Sequence, residues 1–397
     1  MFKNRRLSMY LQDAVARFPI LVVTGPRQSG KTTLLRTLFS EYRYVSLEDP
    51  DVRRFALEDP RGFIATHGTH VIFDEIQRTP ELFSYLQSKV DEPKNSARYI
   101  LTGSNNFLMM ENVSQSLAGR AGIFHLLPFE QSELIENWQS VCGVPLGQTA
   151  VRQPASDAPW ESIWTGFYPR IHADAIPPHT WLQSYYQTYL ERDVRNLLQV
   201  GDIDSFSGFV RLVAGRTGQL VDLAGLGSDA GVSHTTAKRW LSVLNTSFVT
   251  FTLKPHFRNF NKRLVKSPKI YFYDSGLLCF LLGIRSVEQL VVHPLRGLIF
   301  ESFVISEFMK YYHHSGLVPP LYFWRDSSGH EIDLIVEEAG KLWAYEIKSG
   351  QTIASDFFDG LKYWRELSSE NVKTSLIYAG DRAENRTVAR IYSCSQL

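Results

Sequence analysis

Runs of consecutive apolar residues that stop abruptly at small or charged ones set the plan of the first third of the chain. Ile20-Leu21-Val22-Val23 stops before Gly25, Tyr44-Val45-Ser46-Leu47 at Glu48-Asp49-Pro50, Val71-Ile72-Phe73 at Asp74-Glu75, and Tyr99-Ile100-Leu101 at Gly103-Ser104. Unbroken β-rich runs of this length predict strands buried on both faces. Leu7, Leu11, Ala14 and Val15 fall at helical spacing before Pro19 and predict a short amphipathic helix covering the first strand. The alternation of strands and helices predicts an α/β fold with a parallel sheet.

Further along, the pattern changes. Between Gly143 and Pro178, prolines 145, 154, 159, 169, 177 and 178 break any long element and predict a linker or lid. From Trp181 to Val200 apolar positions return at helical spacing, with Glu191-Arg192-Asp193 on the opposite face as a solvated or interface ion pair. Leu220–Ala224 and Thr235–Leu241, joined through Gly231-Val232-Ser233, predict a helix-turn-helix. Ser233 caps its second helix, which turns His234, Thr235, Thr236, Lys238 and Arg239 outward. Two β-rich runs, Phe248–Leu253 and Lys269–Tyr273, flank Arg258, Lys262, Arg263 and Lys266 and complete a winged-helix pattern. Such a module binds duplex DNA, or serves as a lid or dimer element. Last come a helix over Gly297–Phe308, a hairpin of Leu321–Asp326 with Glu331–Glu337, and a strand Lys341–Lys348. The expected domains are 1–140 (the parallel-sheet α/β core), 141–200 (linker and helical lid), 201–290 (winged helix) and 291–397.

Composition narrows the class. A chain of 397 residues exceeds what one core usually supports, and 44% hydrophobic with 21% charged residues is ordinary for a globular protein. The net charge of +1 leaves nucleic-acid binding to local patches. Cys142, Cys279 and Cys394 are too few and too scattered for a disulfide frame or a zinc site, which suits a reducing compartment. The N-terminal stretch lacks a signal-peptide core and no apolar run has the length to span a bilayer, so a cytoplasmic protein with no membrane partner is expected.

The chemistry begins at Gly25-Pro26-Arg27-Gln28-Ser29-Gly30-Lys31-Thr32-Thr33, a phosphate-binding loop between a strand and a helix. Its N–H groups wrap a phosphate at the helix N-terminus, Lys31 reaches the β- and γ-phosphates, and the Thr32 hydroxyl meets Mg2+. Asp74 is placed to hold Mg2+ and Glu75 to polarise the attacking water. Ser104, Asn105 or Asn106 stands where a polar side chain positions that water, with Ser104 and Asn105 the preferred candidates. Arg120, in a small-residue turn, is a candidate for stabilising transition-state charge, in cis or across a subunit interface. Together these motifs resemble a prokaryotic AAA+ ATPase family whose members continue into a C-terminal domain of unknown function, and the likeness covers nearly the whole chain. The resemblance implies ATP and Mg2+ as cofactors and hydrolysis on an AAA+ core.

A second constellation lies in the last segment. Glu346 and Lys348 share one face of a strand, Asp333 on the neighbouring hairpin strand approaches them, and Glu301 completes the cluster from the helix. In this order the residues resemble the PD-(D/E)xK nuclease superfamily, a restriction-endonuclease-like α/β fold, which implies a metal held by Glu301, Asp333 and Glu346 and water oriented by Lys348. The expected function is a Mg2+-dependent AAA+ ATPase that acts on DNA and carries an ATP-regulated nuclease domain. The alternative is a regulatory or signalling ATPase whose C-terminal domains mediate homo-oligomer or protein contacts, since degenerate nuclease cores also serve for binding alone.

Overall fold

The computed structural model describes residues 3–92, 97–104, 113, 116–134, 159–188, 203–256, 265–368 and 372–397. Asn105 and Asn106, Cys142, the Glu191-Arg192-Asp193 face and three residues of the expected wing, Arg258, Lys262 and Arg263, lie outside them. The chain divides into two compact units. The first is Met1–Phe129 with Thr246–Phe248 and Tyr311–Val318; the second is Glu130–Asn245, Val249–Lys310 and Pro319–Leu397.

The first unit holds a five-stranded, all-parallel sheet of β1 (Ile20–Thr24), β2 (Arg43–Ser46), β3 (His70–Asp74), β4 (Arg98–Gly103) and β5 (Ala121–His125), in the order β2-β3-β4-β1-β5. All five residues of β1 are buried. Ile20 and Val22 pack into one core with Phe63, Phe73 and Tyr99, while Leu21 and Val23 pack into the other with Leu7, Leu11 and Leu35. The period-two alternation of a strand thus feeds two apolar layers, which is why the run shows no polar position. The strand β5 was not expected: Ala-Gly-Ile-Phe-His is short, contains glycine and occupies a sheet edge, where Ile123 stays 38% exposed. Parallel order matters for function because it puts the C-terminal ends of β1, β3 and β4, and the turns that follow them, along one edge.

The second unit holds an eight-stranded mixed sheet. Its strands are β6 (Thr250–Pro255), β7 (Lys269–Phe272), β8 (Leu321–Arg325), β9 (Glu331–Glu338), β10 (Lys341–Lys348), β11 (Val372–Tyr378), β12 (Glu384–Asn385) and β13 (Arg390–Ser393), in the order β12-β13-β11-β10-β9-β8-β6-β7. β9 runs antiparallel to both β8 and β10, and β11 returns parallel to β10. β6 pairs antiparallel with β7 and parallel with β8, so the sheet runs across the boundary expected at 290/291. The helix Arg296–His314 and the helix Asp359–Leu367 also belong to the last segment, the second burying Leu361 and Trp364 in a core with Trp324, Leu342 and Leu376. Helices Leu223–Asp229 and His234–Thr246 are joined by a turn in which Gly231 takes φ 68°. Ala237, Trp240, Leu241 and Leu244 are buried, whereas His234, Thr235, Lys238 and Arg239 are exposed. In the segment read as a linker, the described part forms short helices at Trp160–Thr165, Pro169–Ala173 and Pro178–Tyr185.

Candidate functional site

The turn after β1 needs glycine. Gly25 takes φ 151°, and a Cβ there would overlap the carbonyl oxygen of Leu126. Gly30 takes φ 92° immediately before the helix Lys31–Leu38, and Gln28 is also left-handed at φ 63°. Lys31, buried, donates to the carbonyls of Gly25 at 2.9 Å and Pro26 at 2.8 Å. Burial pushes its ammonium down to about 8, against the opposing pull of Glu75 and Asp74. The Thr32 hydroxyl donates to Asp74 Oδ2 at 2.9 Å, which brings the end of β3 to the start of the helix. Glu75, left-handed at φ 57°, accepts from Gln77 and, at 3.3 Å, from Ser104 at the end of β4. Ser104 therefore lies beside Glu75.

This arrangement fits a magnesium nucleotide on two observations. The Ser29 hydroxyl is buried without a hydrogen-bond partner among the described residues, inside a loop whose lysine holds only neutral carbonyls. A hydroxyl and a carboxylate, Thr32 and Asp74, converge as oxygen donors suited to Mg2+.

Two residues that motif reading missed hold the site, one at the loop and one at Asp74. Buried Arg5 donates to the Ser29 carbonyl at 2.9 Å and to the Leu127 carbonyl at 2.7 Å, and stands 4.6 Å from the centre of the Phe129 ring. Tyr44 on β2 donates to Asp74 Oδ2 at 2.6 Å, and burial, reinforced by Asp74, raises its hydroxyl far above its usual range. Arg120 needs correction in its cis form. It directly precedes β5, whose first residue Ala121 pairs with Ile20, the first residue of β1. It stands at the opposite end of the sheet from the loop that follows Thr24, so within one chain it does not reach that loop. Its guanidinium instead makes two 2.7 Å bonds to Asp91.

In the second unit Glu301 and Asp333 come together with Glu331, which spacing did not reveal, while Glu346 pairs with Lys348. Asp333 Oδ2 accepts from the Ile347 amide at 2.8 Å. The register of β9 against β10 ends at Leu334 and Tyr345, so the carboxylate takes over as partner for an amide beyond the ladder. Lys348 donates to Glu346 Oε1 at 2.5 Å. Lys269 on β7 donates to Glu301 Oε1 at 3.0 Å and to Glu331, Tyr271 donates to Glu301 Oε1 at 2.5 Å, and Arg325 lies 3.2 Å from Glu331. Glu301, Glu331 and Asp333 each present an oxygen within 4.8 Å of the others. Burial pushes Glu346 up to about 8, with Asp333 adding and Lys348 opposing. Burial likewise raises Glu301 to about 7, against Lys269. For Lys348 burial works downward, but Asp333 and Glu346 outweigh it and raise the ammonium. Lys269, Tyr271 and Glu331 escape sequence reading because β7 is distant in the chain and an acidic residue at a strand start reads as a solvated end.

Comparison with known proteins adds the family. Residues 17–135 match the model of an AAA domain, 157–288 a domain of unknown function (DUF8612) and 296–397 a domain of unknown function (DUF4143). The chain is 33% identical over 362 residues to the uncharacterized proteins Rv2008c of Mycobacterium tuberculosis and Mb2031c of Mycobacterium bovis, a span of 89% of this chain and 75% of theirs. Among solved structures, the Walker-type ATPase PABY2304 of Pyrococcus abyssi aligns with a TM-score of 0.40 at 16% identity, over 71% of this chain and 96% of that one. No helix among the described residues is long and apolar enough to cross a membrane.

Proposed function

The chain belongs to the family of the mycobacterial proteins Rv2008c and Mb2031c and carries an AAA-type ATP-binding ATPase domain, and from that premise we propose that it is a Mg2+-dependent AAA+ ATPase acting on DNA. The observation that carries the ATPase reading is the bond of Thr32 to Asp74 beside a lysine held by two loop carbonyls. The loop 25–33 would hold the phosphates, and Thr32 and Asp74 the metal. When bound, that ion neutralises charge on the transferred phosphoryl group. Glu75 takes the proton of the attacking water, with Ser104 and Asn105 as candidates to position it. Arg120 is assigned to a neighbouring subunit's site.

The second unit supports the DNA reading through the exposed His234, Thr235, Lys238 and Arg239 on a helix anchored by Trp240 and Leu244, as in a winged helix. Its acidic cluster fits a nuclease-like metal centre: Asp333 and Glu346 as ligands, Glu301 on a third side, Lys348 orienting water. One observation favours the second reading, a regulatory ATPase with protein or oligomer contacts. β6 and β7, expected as a DNA-touching wing, are hydrogen-bonded into the sheet through β8. Fluorescence anisotropy with a labelled duplex at low and moderate salt decides between them. DNA binding that weakens steeply with salt and with Lys238→Ala/Arg239→Ala is expected; no binding at low ionic strength leaves the regulatory reading.

A further inference from the structure

Lys269 is 3% exposed, and its ammonium is shared between two carboxylates from different elements: Glu301 at 3.0 Å on the helix Arg296–His314 and Glu331 at the start of β9. The side chain is delivered rigidly. β7 pairs Lys269 with Leu253 of β6, and a bridge to Leu220 fixes its other side. The acidic oxygens of Glu301, Glu331 and Asp333 lie within 4.8 Å of one another, a spacing suited to a hard divalent cation. The other half of the cluster is built differently. Glu346, 8% exposed, gives Oε1 to Lys348 while Oε2 has no hydrogen-bond partner among the described residues. Oε2 faces Gly360, where a Cβ would come within 3.1 Å. A buried carboxylate oxygen without a donor is costly unless a ligand meets it.

We infer that the ammonium of Lys269 stands in the place of a divalent cation between Glu301 and Glu331 and closes that half of the cluster to metal. The inference rests on reading the cluster as a metal centre. It specifies that centre as one without a place for the second of the two ions that two-metal phosphodiester chemistry uses. The positive charge a second ion would bring is built into the chain, on β7.

Mn2+ is the probe, with bound ions counted by electron paramagnetic resonance in the nucleotide-free full-length chain. Lys269→Met and Lys269→Gln are expected to bind one more Mn2+ than wild type, and the gain should vanish when Glu301→Gln is added. Any ion near Thr32 and Asp74 is common to all these chains and cancels in the difference. Removing the ammonium also leaves Glu301 without its cation and Glu331 with Arg325 alone, so the Tm of both variants should drop in EDTA and recover with Mn2+. Lys269→Arg, which keeps the charge, should show neither the gain nor the recovery. Neutral variants that gain no ion, whose Tm ignores Mn2+, or that stay unfolded at millimolar Mn2+ overturn the inference. Failure of the metal reading is a separate result: wild type would hold no ion sensitive to Glu346→Gln, while a gain in Lys269→Met would still stand.

Discussion

Lys31 and Lys269 are both buried beside acidic residues, yet one gives its protons to two neutral backbone carbonyls and the other to two carboxylates. The consequences diverge. Burial leaves Lys31 at about 8, whereas Tyr271, Glu301, Glu331 and Asp333 overcome the effect of burial and hold Lys269 well above its ordinary value. A lysine held by dipoles keeps its charge available to an incoming phosphate; a lysine held by carboxylates is already neutralised and acts as part of the frame. The loop is therefore built to exchange ligands. The cluster is built around a fixed cation, with Glu346 Oε2 as its open position.

The largest effect expected from this difference is at the loop. Lys31→Ala should remove detectable nucleotide binding in a fluorescent-nucleotide titration, because the carbonyls of Gly25 and Pro26 cannot replace an ammonium facing phosphate. Glu75→Gln should retain binding and lower steady-state ATP hydrolysis by about 100-fold or more, the usual scale for a lost general base. Normal turnover in Glu75→Gln would show that Glu75 serves only to seat Gln77 and Ser104.

At the cluster the corresponding substitutions should leave ATP hydrolysis intact. Asp333→Ala and Lys348→Ala are expected to lower Mg2+-dependent DNA cleavage about 100-fold while ATP turnover stays within about twofold. Cleavage that survives both changes places the nuclease chemistry elsewhere or in a contaminant.

How much of this was legible depended on whether a feature is contiguous in the chain. The loop 25–33 and Asp74-Glu75 could be read directly because a buried strand, a turn and a helix follow one another in a fixed spacing. Arg5 and Tyr44 could not, since each reaches the site only after the sheet has formed. Sequence order left Arg120 open between a cis and a trans role because it does not say which end of the sheet holds the residue; β5 pairs with β1 from Ile20 onward, which sets Arg120 away from the loop of its own chain. In the second unit, Asp333, Glu346 and Lys348 were visible from strand alternation and chain order. Lys269 and Glu331 were hidden because β7 precedes the expected boundary at 290/291, whereas β6 joins it to the sheet that lies beyond.

Backbone demands should separate the two units next. Gly25→Ala places a methyl group against the Leu126 carbonyl at a left-handed φ and should destabilise the first unit by about 3 kcal/mol. Hydrogen exchange should show faster opening of β1 and β4 with β8–β10 unchanged. Equal loss in both sheets would mean that the units unfold as one.

The smallest effect, and the sharpest on sign, is the response to acid. In the first unit His125 packs against His313 at 4.9 Å and bonds to Thr24 at 3.0 Å, and burial pushes its imidazole from 6.5 down to about 4. Between those values the unfolded chain binds more protons, so this contribution to stability is present above 6.5 and is lost as pH falls toward 4. Glu346 and Glu301 run the other way. Their folded values of about 8 and about 7 lie above the ordinary 4.5, so the folded state binds more protons in that window and their contribution grows as pH falls. Each is expected to be worth about 2 kcal/mol, below the full shift because His125 is partly exposed and the carboxylates are linked. Denaturant unfolding from pH 8 to 4.5 tests this directly. Measured against wild type, His125→Asn should gain ground as the solution is acidified and Glu346→Gln should lose it; slopes of the same sign would show that the two regions do not bury charge in opposite senses.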